Sequence, residues 1–459
     1  MKTKRIFLGL LILSMLSCNY LNQMINPATP TPLPTLTPTL TLTPTPEPLK
    51  PSFIPPECST VPLATASPDE TVAITPEIEP NLDISKAEQL DVFTELTDRV
   101  SEVYVYPDFN GKDWNEIQSR YEAKINAGLD TEAFYHAMGE MIYELGDEHS
   151  FFLSPIEVKQ SDAELEGNIE FVGVGIYGQT DFERGRHIVL STFPGSAADN
   201  SGIQPHDAIL KVDGLPVAED SGFRLRGPKC SAVVMTVQSP GEEPRDVMLM
   251  RHSIQGGLDI DSRLVPTTDG SKIGYIFIPS FFDETIPPQI DRALDDFGEL
   301  DGLILDVRVN GGGSSGVVDP IFAHFVSGRL GQFVTREESI PLRIKAYPIA
   351  NSQTVPLVVV VSEDTASYGE IFAGVLKDQG RAKVTGETSL GNVEVLYGFN
   401  FDDGSQAWIA SATFHPENSD ENWEETGIVT DLPAYAPWDT FTFETDPSIA
   451  AALTLLGHQ

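Results

Sequence analysis

The chain has 459 residues, enough for two or three domains, and a hydrophobic fraction of 41% that suits a globular protein with a sizeable core. Lys and Arg number 29 against 68 Asp and Glu, a net charge of −39. That balance argues against a nucleic-acid partner, which needs a basic footprint, and points to a solvated acidic surface.

The chain opens with MKTKRIFLGLLILSMLSCNY. Lys2, Lys4 and Arg5 precede an apolar run from Ile6 to Leu13, the pattern of a secretory signal. The run is too short for a transmembrane span. Ser17-Cys18 resembles the lipobox of bacterial lipoproteins, with Met15 at the usual Leu position. The resemblance implies a signal peptide over residues 1–18, cleavage before Cys18 and a lipid on its sulfur, so that the protein is exported and anchored at the outer face of the bacterial cell membrane. Simple secretion with an unmodified Cys18 is the alternative. Residues 19–82 read as a linker, and the Pro/Thr-rich tract at 27–56 cannot build a core. At about 3.1 Å per residue in a polyproline-like state, that tract reaches roughly 90 Å. Cys58 and Cys230 either pair under oxidising conditions or stay free, and no zinc-site spacing is present.

Residues 83–163 read as a helical segment. Leu90, Phe93, Leu96, Val100 and Val103 repeat at helical spacing, and Thr131 is placed to cap a second apolar-faced helix that Gly146 ends. Residues 164–254 change to short β-type runs separated by turn residues. Their order around PGSAADNSGIQPHDAILKVDGLPV, with Gly202-Ile203, Asp207 and Asp213-Gly214, resembles the PDZ family. That resemblance implies capture of an extended peptide C-terminus as an added strand. The peptide-binding loop would be Gly173, Val174, Gly175 and Ile176, where glycine lets a backbone come close. Residues 255–459 alternate strand-like and helix-like runs, which implies a sheet with crossover helices.

Three motifs in this last region carry chemistry. In LILDVRVNGGGSSG a buried strand runs into Gly311-Gly312-Gly313, whose bare backbone N–H groups suit a developing oxyanion. In VPLVVVVSEDTASYGEIF, Ser367 stands where a strand turns into a helix, a common place for a nucleophile. GETSLGNVEV and WEETGIVTD follow. Together and in this order they resemble the carboxyl-terminal processing proteases and the related tricorn core proteases, over about residues 85–435, with Ser389 at a position usually Thr. The resemblance implies a multidomain α/β protein: an N-terminal helical segment, a β-rich PDZ domain and an α/β catalytic core of the Clp protease/crotonase-like type. It maps the nucleophile to Ser367 and the oxyanion donors to the N–H groups of Tyr368 and Gly312.

The proton acceptor departs from the pattern. Where the bacterial processing proteases carry a lysine, this chain has Asn392, and an amide is no general base. The tricorn branch uses histidine and glutamate, which map to His149 in LGDEHSFFLSP and to Glu424, with Glu425 adjacent. An imidazole titrates near working pH and accepts a serine proton, and a carboxylate on its other nitrogen fixes the tautomer. His415 and Lys383 are rival bases, and Ser150 follows the histidine where tricorn-type enzymes have a serine before it. The expected function is therefore a serine endopeptidase that binds exposed protein C-termini and needs no metal or cofactor. A catalytically inactive surface scaffold for peptides is the alternative.

Overall fold

The computed structural model describes residues 49–59, 81–147, 149–159, 171–217, 224–254 and 257–458. The predicted signal peptide, Cys18 and most of the predicted linker lie outside these. Among the described residues, no helix is long and apolar enough to cross a membrane.

Three helices come first: α1 (Lys86–Val103), α2 (Trp114–Ala127) and α3 (Thr131–Tyr143). A Ser85/Glu88 capping box opens α1, whose buried stripe is Val92, Phe93, Leu96 and Val100. The cap of α3 is Asp130, one residue before the predicted Thr131. The Asp130 carboxylate accepts the Ala133 N–H at 2.8 Å, while Thr131 Oγ1 accepts the Ile84 N–H at 3.2 Å. Short strand β1 (Phe151–Leu153) follows.

The β-rich unit contains β2 (Phe171–Gly173), β3 (Ile176–Asp181), β4 (Arg186–Thr192), helix α4 (Ala197–Asn200), β5 (Ala208–Val212), β6 (Leu215–Pro216), β7 (Ala232–Gln238), β8 (Arg245–Met250) and β9 (His252–Ile254). Its main sheet has the order β3-β4-β5-β7-β8 with β6 on β5, and β2 pairs with β9. Val189, Ile209, Val233, Val237 and Leu249 are fully buried inside it. Part of the predicted linker is docked here. Phe53 packs against this core, Ser52 Oγ donates to Ser201 Oγ at 2.7 Å, and Cys58 forms a disulfide with Cys230.

The remaining elements are β10 (Ser262–Val265), β11 (Ile273–Phe277), α5 (Ile286–Phe297), β12 (Gly302–Asp306), α6 (Ser315–Phe325), β13 (Gly328–Val334), β14 (Ser339–Ile344), β15 (Leu357–Val361), α7 (Tyr368–Asp378), β16 (Lys383–Gly386), β17 (Val395–Asn400), β18 (Gln406–Pro416), α8 (Trp423–Thr426), β19 (Leu432–Pro433) and α9 (Pro447–Leu456). The central sheet has the order β10-β11-β12-β15-β16-β19 and is parallel from β11 onward. Both faces are covered. Leu303, Leu305, Val359 and Val361 pack with α5, α6 and α7, while Ile304, Val358 and Val360 pack with Ile449 and Ala452 of α9. Double coverage explains why LVVVV is apolar without alternation.

A second, antiparallel sheet has the order β1-β18-β13-β14, with β17 also on β18. It carries α1–α3, which share a core with Phe152, Phe401 and Ile409. The β-rich unit meets the C-terminal segment through buried Asp439, which takes Arg184 at 2.6 and 3.0 Å and Arg186 at 2.6 Å. Beside it, His206 stacks on Trp438 at 4.5 Å.

Candidate active site

Strand β15 ends at Val361, and residues 362–366 turn the chain into α7. The turn is stitched to the end of β12. Thr365 Oγ1 donates to the Val307 carbonyl at 3.0 Å, and the Ala366 N–H donates to the Asn310 carbonyl at 3.1 Å. Ser367 follows at φ +53°, a left-handed conformation that non-glycine residues adopt at strained, over-determined positions. Its N–H is held by the Asn392 carbonyl at 2.5 Å. Tyr368 opens the helix, so its N–H is one of the four without an intrahelical acceptor.

Gly312 lies against this serine. A Cβ there would stand 2.7 Å from Ser367 Cβ, 3.0 Å from its Oγ and 3.1 Å from the Tyr368 nitrogen, at φ +102°. Only glycine fits, and the two predicted oxyanion donors are thereby neighbours. The Gly312 N–H itself donates to Asn310 Oδ1 at 2.9 Å, so holding an oxyanion requires it to turn from that acceptor. Beneath the loop, Arg308 is buried between Asp306 and Asp446, each at 2.5 Å.

His149 and Glu424, 275 positions apart, meet with Nε2 to Oε1 at 2.9 Å. The second Glu424 oxygen accepts the Val393 N–H at 2.7 Å. Segment 392–393 thus touches Ser367 with one residue and Glu424 with the next. The His149 Nδ1 is buried without a hydrogen-bond partner among the described residues, and Ser367 Oγ is not bonded to it. Burial alone would lower the imidazole pKa, but the Glu424 hydrogen bond and the charges of Glu394 and Glu424 raise it on balance. Glu425 is exposed. His415 is exposed on β18 with Thr413 Oγ1 at 3.2 Å, and Lys383 is exposed at the start of β16. Neither rival joins the cluster. Ser150 Oγ donates to Asp147 at 2.6 Å and accepts the Ala410 N–H at 2.9 Å, while Asp147 also takes the His149 N–H at 2.9 Å. Ser150 therefore shapes the loop carrying His149 and does not bond the imidazole.

Two carboxylates beside these residues were missed by sequence reasoning. Glu394 Oε2 lies 3.4 Å from His149 Nε2, and its other oxygen accepts the Tyr106 hydroxyl. Burial, with the Glu424 charge, pushes its pKa up to about 7 against the Tyr106 bond. Glu370 is fully buried and accepts from Ser389 Oγ at 2.5 Å and from the N–H groups of Gly391 and Asn392 at 2.8 and 2.7 Å. Its signal was present, since Ser367-x-x-Glu370 has capping-box spacing. The carboxylate turns to the 389–392 loop instead, and no side-chain cap forms.

The predicted peptide-binding loop runs between β2 and β3. The Val174 carbonyl accepts the Ala198 N–H at 2.9 Å, and the Gly175 carbonyl accepts the Phe193 N–H at 3.0 Å. The N–H groups of Val174 and Gly175 meet no acceptor among the described residues. Ile176 begins β3, and Gly173 pairs with His252.

The sequence profile of peptidase family S41 matches residues 272–434, and that of the Tricorn protease C1 domain matches residues 85–143. The carboxyl-terminal-processing protease of Picosynechococcus sp. is 29% identical over 397 residues, 81% of this chain and 90% of that protein. The protein of the same name from Synechocystis sp. is 28% identical over 368 residues, 78% and 84% of the two chains. The solved photosystem II D1 C-terminal processing protease superposes with a TM-score of 0.55 at 23% identity, over 80% of this chain and 98% of that one, a likeness of fold. The inactive-scaffold alternative finds no support in these relatives. A serine at a strained strand-to-helix turn and a glycine loop against it agree with these relatives, which support the carboxyl-terminal processing protease family for this chain: its residues 272–434 match peptidase family S41, and it is a serine-type peptidase.

Proposed function

We propose that this peptidase hydrolyses polypeptides with exposed C-termini through a Ser367–His149–Glu424 site. The carrying observation is the 2.9 Å bond between His149 Nε2 and Glu424 Oε1, set beside the 392–393 segment that also holds Ser367. Glu424 occupies Nε2, so Nδ1 is the nitrogen left to act as base. Ser367 Oγ attacks the scissile carbonyl carbon and its proton passes to His149. The oxyanion is taken up by the Tyr368 N–H and by Gly312 once its N–H leaves Asn310. The tetrahedral intermediate collapses, His149 returns the proton to the departing amine, and water then cleaves the acyl-enzyme by the same route. Ser367 and His149 are not yet bonded, so the site must tighten when substrate binds.

The β-rich unit acts in this reading as a PDZ domain. Strand β3 pairs only with β4 among the described residues, which leaves an edge for an added strand, and the Val174 and Gly175 N–H groups suit a terminal carboxylate. A cleft of about 370 Å³ lies between Gln179–Asp181 of β3 and residues Ser362–Asp364 ahead of the nucleophile, in line for a peptide leaving that edge. Export with a lipid on Cys18 belongs to the same proposal, and the Cys58–Cys230 disulfide fits an oxidising compartment.

A fluorophosphonate probe tests the site. We expect labelling of the wild type, none of Ser367→Ala, and a loss of at least about 1,000-fold in labelling rate for His149→Ala. Full hydrolysis of an unfolded substrate by Ser367→Ala would end the assignment. Release of the protein from membranes by Cys18→Ala tests the anchor.

A further inference from the structure

His149, Glu394 and Glu424 come from three separate elements: the loop after α3, the residue before β17, and α8. One ligand atom from each lies within 4.8 Å of the others. The separations are 3.4 Å from His149 Nε2 to Glu394 Oε2 and 2.9 Å from Nε2 to Glu424 Oε1. Around a tetrahedral zinc ion, ligand atoms about 2.0–2.1 Å from the metal stand roughly 3.3 Å apart. The cluster needs only a slight opening to meet that spacing.

The site is built from behind. Each carboxylate is tied by one oxygen, Glu394 by the Tyr106 hydroxyl and Glu424 by the Val393 N–H, and each directs its other oxygen toward the imidazole. The Glu394 side chain is 2% exposed, and its Oε2 has no hydrogen-bond partner among the described residues. A buried carboxylate oxygen left without a donor is costly, and an ion would satisfy it. One neutral imidazole and two carboxylates balance a double positive charge. The imidazole favours a zinc-type ion over magnesium or calcium, which prefer six or more oxygen ligands. Glu424, 19% exposed, marks the side open to solvent.

We propose that His149, Glu394 and Glu424 form an inhibitory binding site for a divalent zinc-type ion. The metal takes the Nε2 lone pair, and the neutral ring then carries its proton on Nδ1. No nitrogen remains to accept the Ser367 proton. The inhibition rests on His149 being the base, whereas the binding does not.

The two parts are measured apart. Zinc chloride is titrated calorimetrically into full-length Ser367→Ala, with cobalt(II) absorption as a second readout. One ion per chain is expected, with a tetrahedral-type cobalt spectrum and no binding of magnesium at the same concentration. Glu394→Gln in that background is expected to weaken zinc by at least about 100-fold, and Tyr106→Phe, which only loosens Glu394, by about 10-fold. In the wild type, zinc should abolish fluorophosphonate labelling and a chelator should restore it, while whatever labelling Glu394→Gln retains resists zinc. Absence of stoichiometric binding, or unchanged affinity in both the Glu394 and Tyr106 variants, overturns the site. Stoichiometric binding with undiminished labelling at saturation overturns the inhibition and speaks against His149 as base. Loss of labelling in His149→Ala without any zinc binding removes the metal site alone.

Discussion

The Glu370 carboxylate accepts the Asn392 N–H at 2.7 Å, while the Asn392 carbonyl accepts the Ser367 N–H at 2.5 Å. Helix α7 and the 389–392 loop therefore hold each other. Glu370→Gln puts an amide NH₂ where one of three donors was received. A misplacement of about 1 Å at a nucleophile costs on the order of 100-fold in rate. We expect that loss in kcat/KM carried by kcat with KM little changed, alongside about 2 kcal/mol of stability. Steady-state kinetics and denaturant melts check it, and equal activity in the variant would remove the positioning role.

Asn392 stands where a lysine base was expected, but its contacts to Ser367 and Glu370 are made by its backbone. Asn392→Lys should therefore leave activity at or below the parent level, and His149→Ala/Asn392→Lys should stay inactive. A rise of more than about 10-fold, worth 1.4 kcal/mol of barrier, would identify a decayed lysine dyad instead.

Asp439 is buried and receives both Arg184 and Arg186, joining the β-rich unit to the C-terminal segment. The arginines are about one-third exposed, so the pair is worth less than a fully buried one. Asp439→Asn should weaken the junction by about 1–3 kcal/mol. Hydrogen exchange should quicken in the β3–β4 hairpin while β12 and β15 stay protected.

His187 is buried on β4 with Thr180 Oγ1 at 2.8 Å from its Nδ1, and burial lowers its pKa from 6.5 to about 4. A folded-state pKa below the unfolded one means that protonation favours unfolding. The associated stability is complete above about pH 6.5 and is lost as pH falls toward 4, in total about 3 kcal/mol. Denaturant melts at pH 7.5 and 4.5 should show a smaller acid loss in His187→Gln than in the parent.

The Cys58–Cys230 disulfide closes a separation of 172 residues and fixes segment 49–59 on the β-rich unit. Cys58→Ser/Cys230→Ser should lower stability by about 2–4 kcal/mol and expose the segment to proteolysis. Alkylation of both cysteines in the unreduced wild type would contradict the pairing.

The sequence by itself determined what is local. An apolar run from Val355 to Val361, turn residues and a helical repeat place Ser367 at a strand-to-helix junction, and three glycines after a buried strand mark the loop beside it. Periodicity and turn chemistry act over a few residues, so they are visible in a few residues. The resemblance to the tricorn branch also paired His149 with Glu424 or its neighbour Glu425. Only the tertiary structure decided which groups share one pocket. Nothing around Glu394 marks it as buried against an imidazole. It is buried because Tyr106, beyond the end of α1, and the His149 loop close over the residue before β17. Glu370 likewise has the local spacing of a helix cap, yet the folded 389–392 loop offers it three donors and wins. Charges and hydrogen bonds between residues far apart in the chain acquire their partners, and their pKa values, only when packing brings those residues out of water together.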